Sequence, residues 1–127
     1  QGKRISRQQA EQLVRKTALV KLDDQYLVAQ KKKEIILRML RNLLGLARNN
    51  NDPESMLRYV ETIVSLNPEA GPERWFRAVL RFQTDRNLEA LEDIEWLLEE
   101  KPEDVDLQRV RQLQIILQRE MQNADHK

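Results

Sequence analysis

Two groups of arginines are the side chains in this chain best suited to chemistry: Arg38, Arg41 and Arg48, and Arg74, Arg77 and Arg81. A guanidinium is a planar fork of donors that meets a carboxylate with two parallel hydrogen bonds. Helical spacing brings each group near one face, opposite an apolar stripe. One reading is a basic surface for an acidic peptide, a carboxylate terminus or another domain. The other is a solvated face, because the side of a helix away from its core is normally charged.

Catalytic constellations find little material. Cys is 0, which removes thiolate nucleophiles, thiolate metal sites and disulfides. The one histidine is His126, at the far end. Asp23/Asp24 and Glu99/Glu100 are adjacent pairs, and neighbours in a helix point apart. The expectation is therefore no catalytic residue, no metal, no cofactor and no enzyme. Lys31-Lys32-Lys33 lacks the aromatic interleaving of a nucleic-acid surface, and a net charge of +1 offers a small electrostatic footprint. No apolar run approaches the ~20 residues of a membrane span. No nucleic acid and no membrane are expected as partners, and a cytoplasmic location follows by default. The chain opens Gln1-Gly2-Lys3 without a methionine, which reads as a fragment or processed product.

The elements that must carry these arginines are helical. Charged residues are 34% and hydrophobic residues 40%, with Gly 3 and Pro 4, a composition of helix formers with enough apolar surface for a core. Ser6-Arg7-Gln8-Gln9 is a capping box that starts a helix over 6–16. Leu19 to Ala29 is apolar but interrupted by Asp23-Asp24, with a short helical turn from Asp24. A strong stripe of Ile36, Leu40, Leu43 and Ala47 follows from Lys31 and stops at Asn49-Asn50-Asn51. Asp52-Pro53 pairs an N-cap with a first-turn proline, and Met56, Val60, Ile63 and Val64 follow. Gly71-Pro72 opens a segment with Trp75, Ala78, Val79 and Phe82; these aromatics read as core rather than a binding platform. Leu88 to Leu98 forms the next helix, where Trp96 is either packed or a partly exposed contact. Asp104 caps a last helix through Met121.

Asn67-Pro68 and Lys101-Pro102 lie 34 residues apart, and the segments before them align without gaps. That is the length of a tetratricopeptide repeat. The expected fold is all-α: tetratricopeptide-like helical hairpins in an α–α superhelix. An N-terminal helical segment (1–30) precedes hairpins at 31–68 and 69–102, a capping helix at 103–122 and a frayed tail at 123–127. Two hairpins are fewer than the roughly three that such stacks need. The first and last helices, or a second molecule, must then supply the missing neighbours. A gapless register would turn Arg74, Arg77 and Arg81 inward, and burying them unpaired is prohibitive. A one-residue insertion in the Glu69–Gly71 loop would keep them outside.

The chain resembles the C-terminal part of the bacterial SirB-one family. The resemblance is carried by Gly2-Lys3-Arg4-Ile5-Ser6, by Lys33-Glu34-Ile35-Ile36-Leu37-Arg38-Met39-Leu40-Arg41-Asn42-Leu43, and by the two repeats through Pro102. Its members look like a transglutaminase-like domain followed by tetratricopeptide repeats. That domain would lie before residue 1, and its Cys-His-Asp type triad cannot be assembled from this chain. The resemblance implies a non-catalytic protein-interaction module, or a structural spacer or oligomerisation element without its own ligand.

Charge segregates by helix: net +5 over residues 31–50, +2 over 72–86 and −6 over 87–100. In tetratricopeptide folds the first helix of each pair lines the groove, so the resemblance implies a basic groove and a partly acidic back. The expected partner is an acidic protein or peptide, the missing N-terminal domain, or a second copy. Gly45 stands where the carboxylate-clamp arrangement of such repeats has an asparagine, so that clamp is not expected.

Overall fold

The computed structural model describes residues 6–125 of the 127-residue chain. Gly2-Lys3-Arg4-Ile5 and His126 lie outside the described residues. The first helix opens on the expected reciprocal cap. The Gln9 N–H donates to Ser6 Oγ (3.1 Å) and the Ser6 N–H donates to Gln9 Oε1 (3.0 Å). From there α1 runs unbroken over Arg7–Asn49, passing through Asp23-Asp24, where the sequence reading placed an interruption. Between Lys3 and Leu44 there is neither glycine nor proline. An interior Asp costs at most about 0.7 kcal/mol against Ala, too little to stop a helix of good formers.

Four further helices follow: α2 (Pro53–Leu66), α3 (Gly71–Gln83), α4 (Asn87–Glu100) and α5 (Leu107–Asp125). The described residues contain no strand, and the fold is the all-α arrangement of helical hairpins expected above. α2 opens as its residues dictate, with Pro53 in the first turn and the Ser55 N–H donating to Asp52 Oδ1 (3.2 Å). The Ser55 hydroxyl donates to Asp52 Oδ2 (2.6 Å), and these bonds hold the Asp52 carboxyl below the usual aspartate range.

The chain divides between Ile36 and Leu37 into two units. In the first, every described side chain from 6 to 29 is exposed, including Leu13, Val14, Leu19, Val20, Tyr26 and Leu27. Those residues bury no apolar face within their own unit.

In the second unit, α2 packs on α3, α3 on α4 and α4 on α5. The larger core joins Ala78 of α3, Ala90, Ile94 and Leu97 of α4, and Val110, Leu113 and Leu117 of α5. A smaller one joins Leu57 and Val60 of α2 to Leu80 of α3. Leu37 and Ala47 of α1 are buried as well. α5 supplies the closing neighbour: it buries one stripe and leaves Ile115 and Ile116 outside.

The helix bounds and the turns repeat in strict register. α1 and α3 end 34 residues apart, as do the starts and the ends of α2 and α4. The turns match bond for bond: Asn51 N–H to Arg48 O and Asp52 N–H to Ala47 O in one, Asp85 N–H to Phe82 O and Arg86 N–H to Arg81 O in the other. Each turn passes through one left-handed residue, Asn51 (φ 51°) and Asp85 (φ 61°), types that tolerate that region. The inserted residue expected in the Glu69–Gly71 loop does not exist. Its premise, that inward arginines would be unpaired, is what fails.

Candidate functional site

Because α3 is packed by α2 on one side and α4 on the other, it has no wholly open face. Leu80 turns towards α2, and Ala78 lies in the core shared with α4. Arg74, Arg77 and Arg81 stand one period after Leu40, Leu43 and Ala47, and their side chains are largely buried. Their counter-charge is Asp93 of α4, with no exposed surface at all. Arg77 forks onto it, Nε to Oδ2 at 2.9 Å and Nη2 to Oδ1. Arg81 Nη1 donates to Asp93 Oδ2 (3.0 Å) and to the Glu89 carbonyl (3.0 Å). Arg74 Nη1 lies 3.8 Å from Asp93 Oδ1, and its Nε donates to the Pro68 carbonyl (2.8 Å). Its guanidinium stacks over Trp96 at 4.1 Å. Burial, with repulsion from Arg77 second, lowers the Arg74 pKa.

This arrangement corrects the expectation that these three arginines line an open basic surface. Their side chains are only 11–16% exposed and are committed to one carboxylate. Asp93 was missed as a functional group, and the signal was present. Ala90, Asp93 and Leu97 are spaced as one helical stripe, which puts an acid in the core face of α4. Trp75 and Phe82 pack against the core, as expected, and so does Trp96, beneath Arg74. Glu89, Glu92, Glu95, Glu99 and Glu100 remain on the exposed face of α4.

The other arginine group has a different setting. A cleft of about 440 Å³ lies between the C-terminal turns of α1 and the first turns of α3. Arg41, Leu44, Gly45 and Arg48 line it from α1, and Pro72, Glu73 and Phe76 from α3. A side chain at Gly45 would meet nothing within 4 Å, so the glycine leaves open floor between the two arginines. Leu44, Pro72 and Phe76 make the walls apolar. Arg41 Nε donates to Glu73 Oε1 (3.1 Å), and Nη2 lies 3.0 Å from the same oxygen. Arg48 is exposed and makes no ion pair among the described residues. Arg38 is exposed on α1 but does not line the cleft.

The open space at Gly45 has a thermodynamic consequence. Its φ is ordinary, so the residue does not need glycine's freedom. Gly45→Ala should stabilise the fold by about 0.5–1 kcal/mol, since glycine loses more entropy in a helix. The check is a urea midpoint, and a lower midpoint for the variant would contradict it.

No helix among the described residues is long and apolar enough to cross a membrane. Residues 43–114, more than half of the chain, match the family of the tetratricopeptide repeat. No curated protein and no solved structure matches the chain.

Proposed function

We propose that this chain, which belongs to the tetratricopeptide repeat family, binds an acidic segment of another protein in the cleft between α1 and α3. Repeats of this family mediate protein–protein interactions, and they do so without chemistry of their own. One observation carries the finer reading: an arginine without an ion pair among the described residues, Arg48, beside an apolar, glycine-floored cleft between α1 and α3. An apolar cleft with a few convergent polar groups is the usual form of a ligand site. The guanidinium supplies the charge preference. A bacterial, cytoplasmic setting goes with this reading.

A second reading is favoured by the first unit. Leu13, Val14, Leu19, Val20, Tyr26 and Leu27 are all more than half exposed on α1, far more apolar surface than a solvated helix needs. The segment would then serve as a spacer or association element. It would dock the transglutaminase-like domain implied by the SirB-one resemblance, or a second copy.

Charge reversal separates the two. With blocked peptides of equal length, acidic, neutral and basic, calorimetry at low salt should show the acidic one bound best. Arg48→Glu should weaken it by about tenfold or more, equivalent to ~1.4 kcal/mol. Equal binding of the three peptides, or an unaffected variant, would sink the cleft reading. A change of oligomeric mass alone would favour the second.

A further inference from the structure

We propose that Glu73 is a built-in competitor for the α1–α3 cleft. Its carboxylate occupies Arg41 until an incoming carboxylate displaces it, so the site selects segments carrying two acids on either side of one apolar residue. This rests on reading the cleft as a peptide site. The geometry of the Arg41–Glu73 pair is that of a placeholder. Arg41 makes one hydrogen bond to Glu73, from Nε to Oε1, with Nη2 beside that same oxygen, whereas a strong arginine–carboxylate pair uses two oxygens in parallel. Arg77 and Asp93 in the same molecule show that fork, with both carboxylate oxygens engaged. The Arg41 side chain is half exposed and that of Glu73 is 18% exposed, so water screens the pair on the arginine side and weakens it. A partner carboxylate presenting both oxygens would therefore replace Glu73 at small cost.

Spacing defines the segment. Arg41 and Arg48 are two turns apart on α1, ~10 Å along the axis, and Gly45 lies between them. In an extended peptide alternate residues point the same way, and the first and fifth are ~13 Å apart. Flexible arginines span that difference. An acid, an apolar residue and a second acid at alternate positions would place carboxylates at Arg41 and Arg48 and the apolar side chain on the glycine floor. A segment with one acid would leave either Arg48 unpaired or Glu73 undisturbed.

The probe is a blocked pentapeptide, Glu-Ala-Leu-Ala-Glu, titrated by calorimetry into the full chain. Glu73→Gln should bind it roughly two- to fivefold tighter, the range a water-screened pair allows. Glu69→Gln, an equal charge change at an exposed loop residue, should leave affinity unchanged. Peptides with one Glu replaced by Gln should bind wild type less well than the parent, and the gain from Glu73→Gln should fall on the acid facing Arg41. If wild type binds the pentapeptide and Arg48→Glu loses it, but Glu73→Gln changes nothing, the competitor is refuted and the cleft reading survives. An equal gain in Glu69→Gln also refutes it, because bulk charge then suffices. Failure of both wild type and Glu73→Gln to bind, with both folded by circular dichroism, overturns the two together.

Discussion

Asp93→Ala should destabilise the hairpin stack by about 3–5 kcal/mol, the range for breaking a buried ion pair by deleting one partner. A single domain has only about 5–15 kcal/mol in hand, so the variant should sit at the edge of folding at room temperature. The magnitude comes from what is left behind. Arg77 and Arg81 would keep their charges at the α3–α4 contact with their principal acceptor gone, since both donate to Asp93. Arg81 Nε already lacks a hydrogen-bond partner, and the Glu89 carboxylate lies 3.7 Å from it. Arg74 retains the Pro68 carbonyl and the Trp96 face. The ordering follows: Asp93→Ala costs most, Arg77→Leu less, because Arg81 still meets the carboxylate, and Arg74→Leu least. Replacing Asp93, Arg77 and Arg81 together by apolar residues should recover much of the loss, since a buried pair is often matched by packed hydrophobics. Urea midpoints read the series. A loss below about 1 kcal/mol for Asp93→Ala, or a triple variant no more stable than the single, would show that the cluster is not what joins α3 to α4.

How far the sequence was legible depends on the range of the interaction. Ser6–Gln9 and Asp52–Ser55 are caps made within three residues, and the residue types alone announce them. The 34-residue period is equally plain, because each turn must reverse the chain in the same number of residues. The Asp23-Asp24 interruption was misread for a related reason. A local preference of a few tenths of a kcal/mol was set against a long run of good helix formers. The arginines of α3 failed differently. Their hydrophobic neighbours and the repeat count disagreed, and the count was right. Arg77 and Asp93 are 16 residues apart and meet only once the hairpin closes, so the acid that makes an inward arginine tolerable belongs to the next helix. The cleft was half visible. Arg41, Gly45 and Arg48 lie on one element and follow from its register. Glu73 reaches Arg41 only because α1 and α3 come together, which no spacing within α1 reports.

Gly71→Ala should cost about 1–3 kcal/mol, although the same exchange at Gly45 stabilises. Both glycines lie in helices at ordinary φ, so backbone freedom does not separate them. Space does. A Cβ at Gly71 would lie 2.9 Å from Pro102 Cβ and Cγ and 3.1 Å from Val105 Cγ2. The proline ring cannot rotate away and the β-branched valine is stiff at χ1. Relief must then come from moving the first turn of α3 away from the α4–α5 connection, and small-to-large changes in a packed site cost that much. The general gain from removing a glycine, ~0.5–1 kcal/mol, offsets only part of it. Trimming the obstacle tests the cause: Pro102→Ala should itself destabilise, yet the further cost of Gly71→Ala on that background should shrink by at least half. The displacement also reaches function, because Pro72 and Glu73 follow Gly71 directly and line the cleft. A shifted first turn carries Glu73 away from Arg41. Gly71→Ala should therefore change affinity for the acidic pentapeptide, while Pro102→Ala alone leaves it near wild type. An unchanged urea midpoint in Gly71→Ala would mean that the contact yields without cost, and strict additivity in the double variant would mean that Pro102 is not what the new methyl meets.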